Sequence, residues 1–202
     1  MNSVTKGREP IACTEEQIMA LMRAAQWYEK HVSTYSNMRL VLLLGFYLGL
    51  RRGEITAAKW NWFDWEHNNV YVKQDGMFKT KSRKNRTIPL FGVVKNCLTQ
   101  YATHNGIEIK GNNNYLIAPG VRWKPGARWR IDFSGSFDGV CRIANVSIWP
   151  HCMRHTFCTR ALQISTVDQV AKWMGHSTVD LIDRYGHYIQ PDDRVLAAWG
   201  GQ

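Results

Sequence analysis

The sequence has no Cys-x-x-Cys pair, no Gly-x-x-x-x-Gly-Lys-Ser/Thr loop, no clear cluster of carboxylates, no internal repeat and no low-complexity tract. The missing Gly-rich loop argues against a nucleotide site of that type, and the missing carboxylate cluster against a Mg²⁺ centre. The cysteines are Cys13, Cys97, Cys141, Cys152 and Cys158, an odd set in a chain that is not short. That argues against a disulfide framework and for a reducing, cytoplasmic setting. Long apolar runs are also scarce. The longest, Leu40 to Leu50, is interrupted by Gly45 and Gly49 and is too short to span a bilayer. The opening MNSVTKGREP is too polar for a secretory signal. Acidic residues are few, 16 against 26 Lys and Arg, for a formal charge of +10. A charge of that sign and size points to a polyanionic partner, most simply nucleic acid. With 45% hydrophobic and 21% charged residues in 202, the chain reads as globular, one large domain or two small ones.

What is present is concentrated between His151 and Tyr188. His151, Arg154 and His155 stand at i, i+3 and i+4, so a helix opened by Trp149-Pro150 places all three on one face. A second amphipathic run ends at Met174-Gly175-His176, and Tyr185 follows nine residues after His176. A guanidinium grips two phosphate oxygens at once, and a phenol can serve as a covalent nucleophile, so this collection suits attack on a phosphodiester. His151, Cys152, His155 and Cys158 also suggest zinc. On a helix, however, Cys152 points away from the two histidines, and no second ligand pair has finger spacing, so no metal site is expected.

The rest of the chain supplies a frame. Residues 1–12 read as a linker, and Thr14 with Gln17 three residues on reads as a helix start, the helix running to about His31. A very apolar helix is expected from Tyr35 to Leu50. Two short strands lie between Trp60 and Lys73, turning at Glu66–Asn69, and a third covers Arg86 to Pro89. Between the second and third strands, five of the eight residues from Lys79 to Arg86 are basic. Helices are expected over Phe91–His104 and Phe133–Asn145, with Tyr115–Ala118 a short buried segment. Basic residues alternate with tryptophan in Arg122-Trp123-Lys124 and Arg128-Trp129-Arg130. These either line a nucleic acid or hang from a loop that the tryptophans anchor, and both readings stay open. Val195, Leu196, Ala198 and Trp199 give the tail, 191–202, an apolar face that can dock on its own domain or on a neighbouring protomer.

His151-Cys-Met-Arg154-His155, Met174-Gly175-His176 and Tyr185 resemble the His-x-x-Arg-His, Leu-Gly-His and Tyr boxes of the tyrosine recombinase (phage integrase) family. The departure, Met174 for leucine, conserves volume. Gly49-Leu50-Arg51-Arg52-Gly53-Glu54 resembles the Gly-Leu-Arg-x-x-Glu box of the same family. Each box is short, but four in order from Arg51 to Tyr185 cover most of the chain. The resemblance implies a mostly α fold with a small antiparallel β-sheet, a catalytic domain over 13–190, and a separate DNA-binding domain preceding the linker in such proteins. It implies a site-specific DNA recombinase, acting in integration or other rearrangement of a mobile element through a 3′-phosphotyrosyl intermediate, with neither metal nor ATP. Double-stranded DNA is the implied partner, with self-association into a tetrameric synapse.

By the same resemblance Tyr185 is the nucleophile, favoured over Tyr188 by its spacing from His176, with Tyr188 a packing residue or a backup phenol. Arg51 and Arg154 neutralise phosphate charge, His176 donates to the phosphate, and His151 assists the phenol. The leaving oxygen takes its proton from a hairpin lysine, Lys79 as first choice and Lys81 as second. Glu54 is expected to buttress a catalytic Arg or His, and His155 to bond backbone. Arg52, Arg83, Lys84, Arg86, Arg122, Lys124, Arg128 and Arg130 are the expected DNA contacts. Two other readings fit the charge: a DNA-binding module without catalysis, and a relaxing type IB topoisomerase.

Overall fold

Ten residues of α2, Met38–Leu48, carry so little polarity that the helix must be covered on every side, and the other elements assemble round it. The computed structural model describes residues 11–33, 36–74, 78–80, 84–117 and 132–188. The linker apart from Ile11 and Ala12, the tail, and the basic-aromatic stretch from Arg122 to Arg130 lie outside them. Helix α1, Glu15–His31, starts as expected: the Thr14 hydroxyl accepts from the Gln17 amide and the Gln17 side chain accepts from the Thr14 amide. It packs on α2 and on α5, Ser134–Ala144. The opposite side of α2 packs on α6, Pro150–Leu162, whose residues from Cys152 to Thr159 are all buried.

Two local conformations shape α2. Asn37 takes a left-handed φ of 48°, so the helix expected from Tyr35 begins at Met38. Its amide oxygen accepts from the Tyr101 hydroxyl at 3.0 Å. Gly49 ends the helix at φ 60°, where a Cβ would lie 2.4 Å from Cδ1 of Phe157 on α6. Glycine is therefore needed twice over, for the backbone turn and for the close approach.

Beyond Gly49 the chain makes a helix absent from the sequence expectation, α3, Arg52–Ala57. It is six residues long, too short for a hydrophobic period to announce it. A 3-10 turn at Trp60–Trp62 replaces the start of the expected first strand, because the Trp60 amide donates to the Asn114 carbonyl instead of to a neighbouring strand. Strands β1, Phe63–Asp64, β2, Asn69–Val72, and β3, Arg86–Pro89, form an antiparallel sheet in sequence order, with Val70 opposite Ile88 and Val72 opposite Arg86. Helix α4, Gly92–His104, follows.

The last described elements are α7, Val167–Met174, and α8, Thr178–Tyr185, capped by the Thr166 and Ser177 hydroxyls, and a 3-10 turn at Gly186–Tyr188. These close a second, smaller apolar cluster, Phe157, Cys158, Leu162, Val170, Met174, Leu181 and Tyr185, on the outer side of α6. Among the described residues no helix is long and apolar enough to cross a membrane.

Candidate active site

Arg154 sits on α6 between the two apolar clusters and is 1% exposed. A charge so placed needs partners. Its Nη1 donates to the Gly49 carbonyl at 2.5 Å and its Nη2 to the Met174 carbonyl. Both acceptors are helix-end carbonyls freed by the left-handed glycines Gly49 and Gly175. One guanidinium thereby joins the end of α2 to the end of α7. Burial pulls its pKa down, and the nearby Arg51 adds to that. The Glu54 carboxylate opposes both, leaving it at about 9, so Arg154 stays charged at neutral pH.

Arg51 lies two residues past Gly49 in extended conformation, immediately before α3. Glu54, 2% exposed, folds back on it. The Arg51 amide donates to Glu54 Oε2 at 2.7 Å, and Arg51 Nη1 to Oε1 at 3.3 Å. Burial alone would raise the Glu54 carboxyl. Hydrogen bonds and charge from Arg86, with the charge of Arg154, outweigh burial and hold it at about 2.

His176 follows Gly175, whose φ of 63° turns the chain off α7. Its Nε2 is 3.4 Å from Arg154 Nη2. Arginine only donates, so a hydrogen bond between them makes Nε2 the acceptor. The Nδ1 atom is buried and has no hydrogen-bond partner among the described residues. Burial, then the charges of Arg154 and Arg51, lower the imidazole to about 4, so it is a neutral donor at physiological pH.

Tyr185 ends α8 with its ring in the second cluster, 4% exposed. Its ring centroid is 5.0 Å from that of His155. Burial raises its pKa, the neighbouring Cys158 adds to that, and the Arg154 charge opposes it. Cys158, one turn beyond Arg154, is itself pushed to about 12 by burial, with Arg154 pulling the other way, so it is an inert thiol. Arg51, Arg154, His176 and Tyr185 thus share one neighbourhood around the Arg154 guanidinium. Two guanidinium groups, a neutral imidazole and a phenol together can hold and attack a phosphodiester.

The other expected residues divide. His151 is exposed on the first turn of α6, and Lys79 is exposed between β2 and β3. Lys84 is exposed as well. Arg52 faces solvent, where it pairs with Asp132 at 2.5 Å and lies over the Phe133 ring. Lys81, Arg83, Arg122, Lys124, Arg128 and Arg130 fall outside the described residues.

Two expectations are corrected. Arg86 is not a solvated phosphate contact: its side chain is 6% exposed and bonds both Glu54 oxygens at 2.7 Å and the Trp173 carbonyl at 2.7 Å. A signal for this was present in the strand period, since Arg86 shares a face with the fully buried Ile88 two residues on. His155 is not bonded to backbone either. Among the described residues neither of its buried ring nitrogens has a hydrogen-bond partner, and the ring lies against Tyr185 and Tyr188. Its pKa is lowered by burial and then by His151 and His187. Among the described residues no three of His, Cys, Asp and Glu are placed to hold a metal ion.

A sequence model of the phage integrase family matches residues 12–190. The chain belongs to the phage integrase family. Similar members include a tyrosine recombinase of Pseudothermotoga lettingae, 28% identical over 154 residues, covering 76% of this chain and 50% of that protein. Tyrosine recombinase XerC of Staphylococcus aureus is 28% identical over 181 residues, 86% of this chain and 55% of that one. The chain therefore spans about half the length of these two relatives. Among solved structures, the catalytic domain of bacteriophage HP1 integrase superposes with TM-score 0.66 at 17% identity, covering 95% of this chain and 96% of that one. The Tn1549 transposon integrase in complex with transposon right end DNA gives TM-score 0.66 at 19% identity, covering 96% and 66%. At such identities the likeness establishes the fold, the mostly helical integrase fold with a three-stranded antiparallel sheet.

Proposed function

We propose that this integrase-family chain is the catalytic domain, residues 13–190, of a site-specific DNA recombinase that works in the cytoplasm without metal or ATP. The observation that carries the reading is the grouping of Arg51, His176 and Tyr185 around the buried, doubly anchored Arg154. In the proposed reaction the Tyr185 oxygen bonds to the scissile phosphorus and its proton passes to His151. The bond from phosphorus to the 5′-oxygen breaks, and that oxygen takes a proton from Lys79. The product is a 3′-phosphotyrosyl link and a free 5′-hydroxyl. Attack by the 5′-hydroxyl of another strand reverses the step and releases Tyr185. Arg51 and Arg154 hold the non-bridging oxygens, where charge grows in the transition state, and the neutral His176 imidazole is a further donor. Tyr185, packed against His155, must turn out of its apolar cluster to reach phosphorus. The relative solved with transposon end DNA and a net charge of +10 both support duplex DNA as substrate, with protomers associating on it as a tetramer.

The reading is tested by trapping. A pool of nicked duplexes with randomised sequence around the nick loses its short leaving strand after cleavage, so the covalent product accumulates. Protease-sensitive protein–DNA adducts are expected from the wild type and none from Tyr185→Phe. Binding without adducts by the wild type would instead make the chain a silent DNA-binding module, and relaxation of plasmids without site preference would make it a topoisomerase.

A further inference from the structure

We infer that Arg86 is a positioning residue for proton transfer to the leaving group, locking the lysine-bearing hairpin against the phosphate-binding cluster. The inference rests on the recombinase reading above, and in particular on Lys79 as the proton donor.

Arg86 is the first residue of β3, opposite Val72 at the last rung of the β2–β3 ladder. Between β2 and β3 the described residues Phe78, Lys79 and Thr80 carry the lysine. Phe78 packs on Trp62 with ring centroids 5.9 Å apart, Thr80 is buried with its Oγ1 donating to the Lys84 carbonyl at 3.0 Å, and the Gln74 N–H donates to Asn85 Oδ1 at 3.0 Å. Arg86 fixes the end of this segment that returns to β3.

Its guanidinium is fixed from two directions. Nη1 and Nη2 donate in parallel to the two Glu54 oxygens, each at 2.7 Å, and Nε donates to the Trp173 carbonyl at 2.7 Å. Glu54 in turn holds Arg51 through its amide and its Nη1. Trp173 precedes Met174, whose carbonyl accepts from Arg154, and His176 stands three residues beyond Trp173. Gly175 makes room for the arrangement, because a Cβ there would lie 3.2 Å from Arg86 Cδ. One planar group therefore spans the Arg51 box, the Gly-His box and the hairpin. A buried ion pair is a weak source of stability, since desolvation offsets most of the attraction. What the two-pronged geometry adds is orientation. Proton transfer in turn depends on placing donor and acceptor within hydrogen-bond reach.

The test uses two otherwise identical nicked duplexes of a sequence trapped by the wild type, one with the normal 5′-bridging oxygen and one with sulfur there. A thiolate leaves without being protonated, so the sulfur substrate does not need the hairpin lysine. On the oxygen substrate, Arg86→Gln and Lys79→Ala are each expected to form adduct roughly 100-fold more slowly than wild type. On the sulfur substrate both are expected to recover to within about threefold of wild type. Arg86→Lys keeps the charge but cannot bond both Glu54 oxygens with a fork, and is expected to behave like Arg86→Gln, which covers the case in which the glutamine variant does not fold. The inference is overturned if Arg86→Lys cleaves the oxygen substrate at the wild-type rate, or if sulfur rescues Lys79→Ala but neither Arg86 variant. A wild type that forms no adduct with either duplex removes the recombinase reading itself, and this inference with it.

Discussion

Glu54 is the residue on which the arginines of the site depend. It accepts from Arg51 and from Arg86, and its carboxyl is held at about 2 against an opposing burial effect. The folded-state pKa is below the unfolded value near 4.3, so between those values the unfolded chain binds more protons and stability rises with pH. The contribution, about 3 kcal/mol, is complete above roughly pH 5 and is lost as the pH falls through the folded value. Urea midpoints measured across that acid range should fall steeply in the wild type and less steeply in Glu54→Gln; equal slopes would mean that the carboxylate is not paired as described. The variant should also be less stable at neutral pH, because Arg86 is left buried with its charge uncompensated. The resemblance of Gly49-Leu50-Arg51-Arg52-Gly53-Glu54 to the family's Gly-Leu-Arg-x-x-Glu box made Glu54 a candidate from the sequence. Which cations it would hold was not readable there, since Arg86 is 32 residues away and only the return of β3 beside α3 brings them together.

At the scale of elements, the contact between α2 and α6 sets where Arg154 can be. Gly49 combines a left-handed backbone with a Phe157 ring in the space of its missing side chain. Gly49→Ala should cost about 2–4 kcal/mol, from the left-handed strain and the overpacking together, and should be visible as a lower melting temperature. It should also displace the Gly49 carbonyl from Arg154 and slow adduct formation in the protein that remains folded; an unchanged melting temperature would show that α2 and α6 are not in register as described. The helices with a long apolar period, α1, α4 and α5, were legible within a residue or two of their observed ends. The six-residue α3 was not, nor was the 3-10 turn at Trp60–Trp62. Both are set by hydrogen bonds to distant or adjacent polar groups rather than by periodicity.

Across the whole molecule, the +10 charge dominates long-range behaviour. If the substrate is duplex DNA, affinity should fall steeply as salt rises between roughly 50 and 200 mM, with a log–log slope of about −5 or steeper, as each neutralised phosphate contributes about −0.9. Fluorescence anisotropy with a labelled duplex measures this, and a slope near zero would contradict an electrostatic DNA face. Sequence alone determined this charge, the main helices, and the residue types that a phosphate-cleaving site needs, because composition, periodicity and short motifs are local properties of the chain. Tertiary structure alone decided three things. Arg86 turns inward to Glu54, His155 packs against Tyr185 and Tyr188 instead of bonding backbone, and the Tyr185 phenol lies inside an apolar cluster. A charged or aromatic side chain has the same identity whether it faces water or a partner, and its partner is chosen only when elements far apart in sequence pack together.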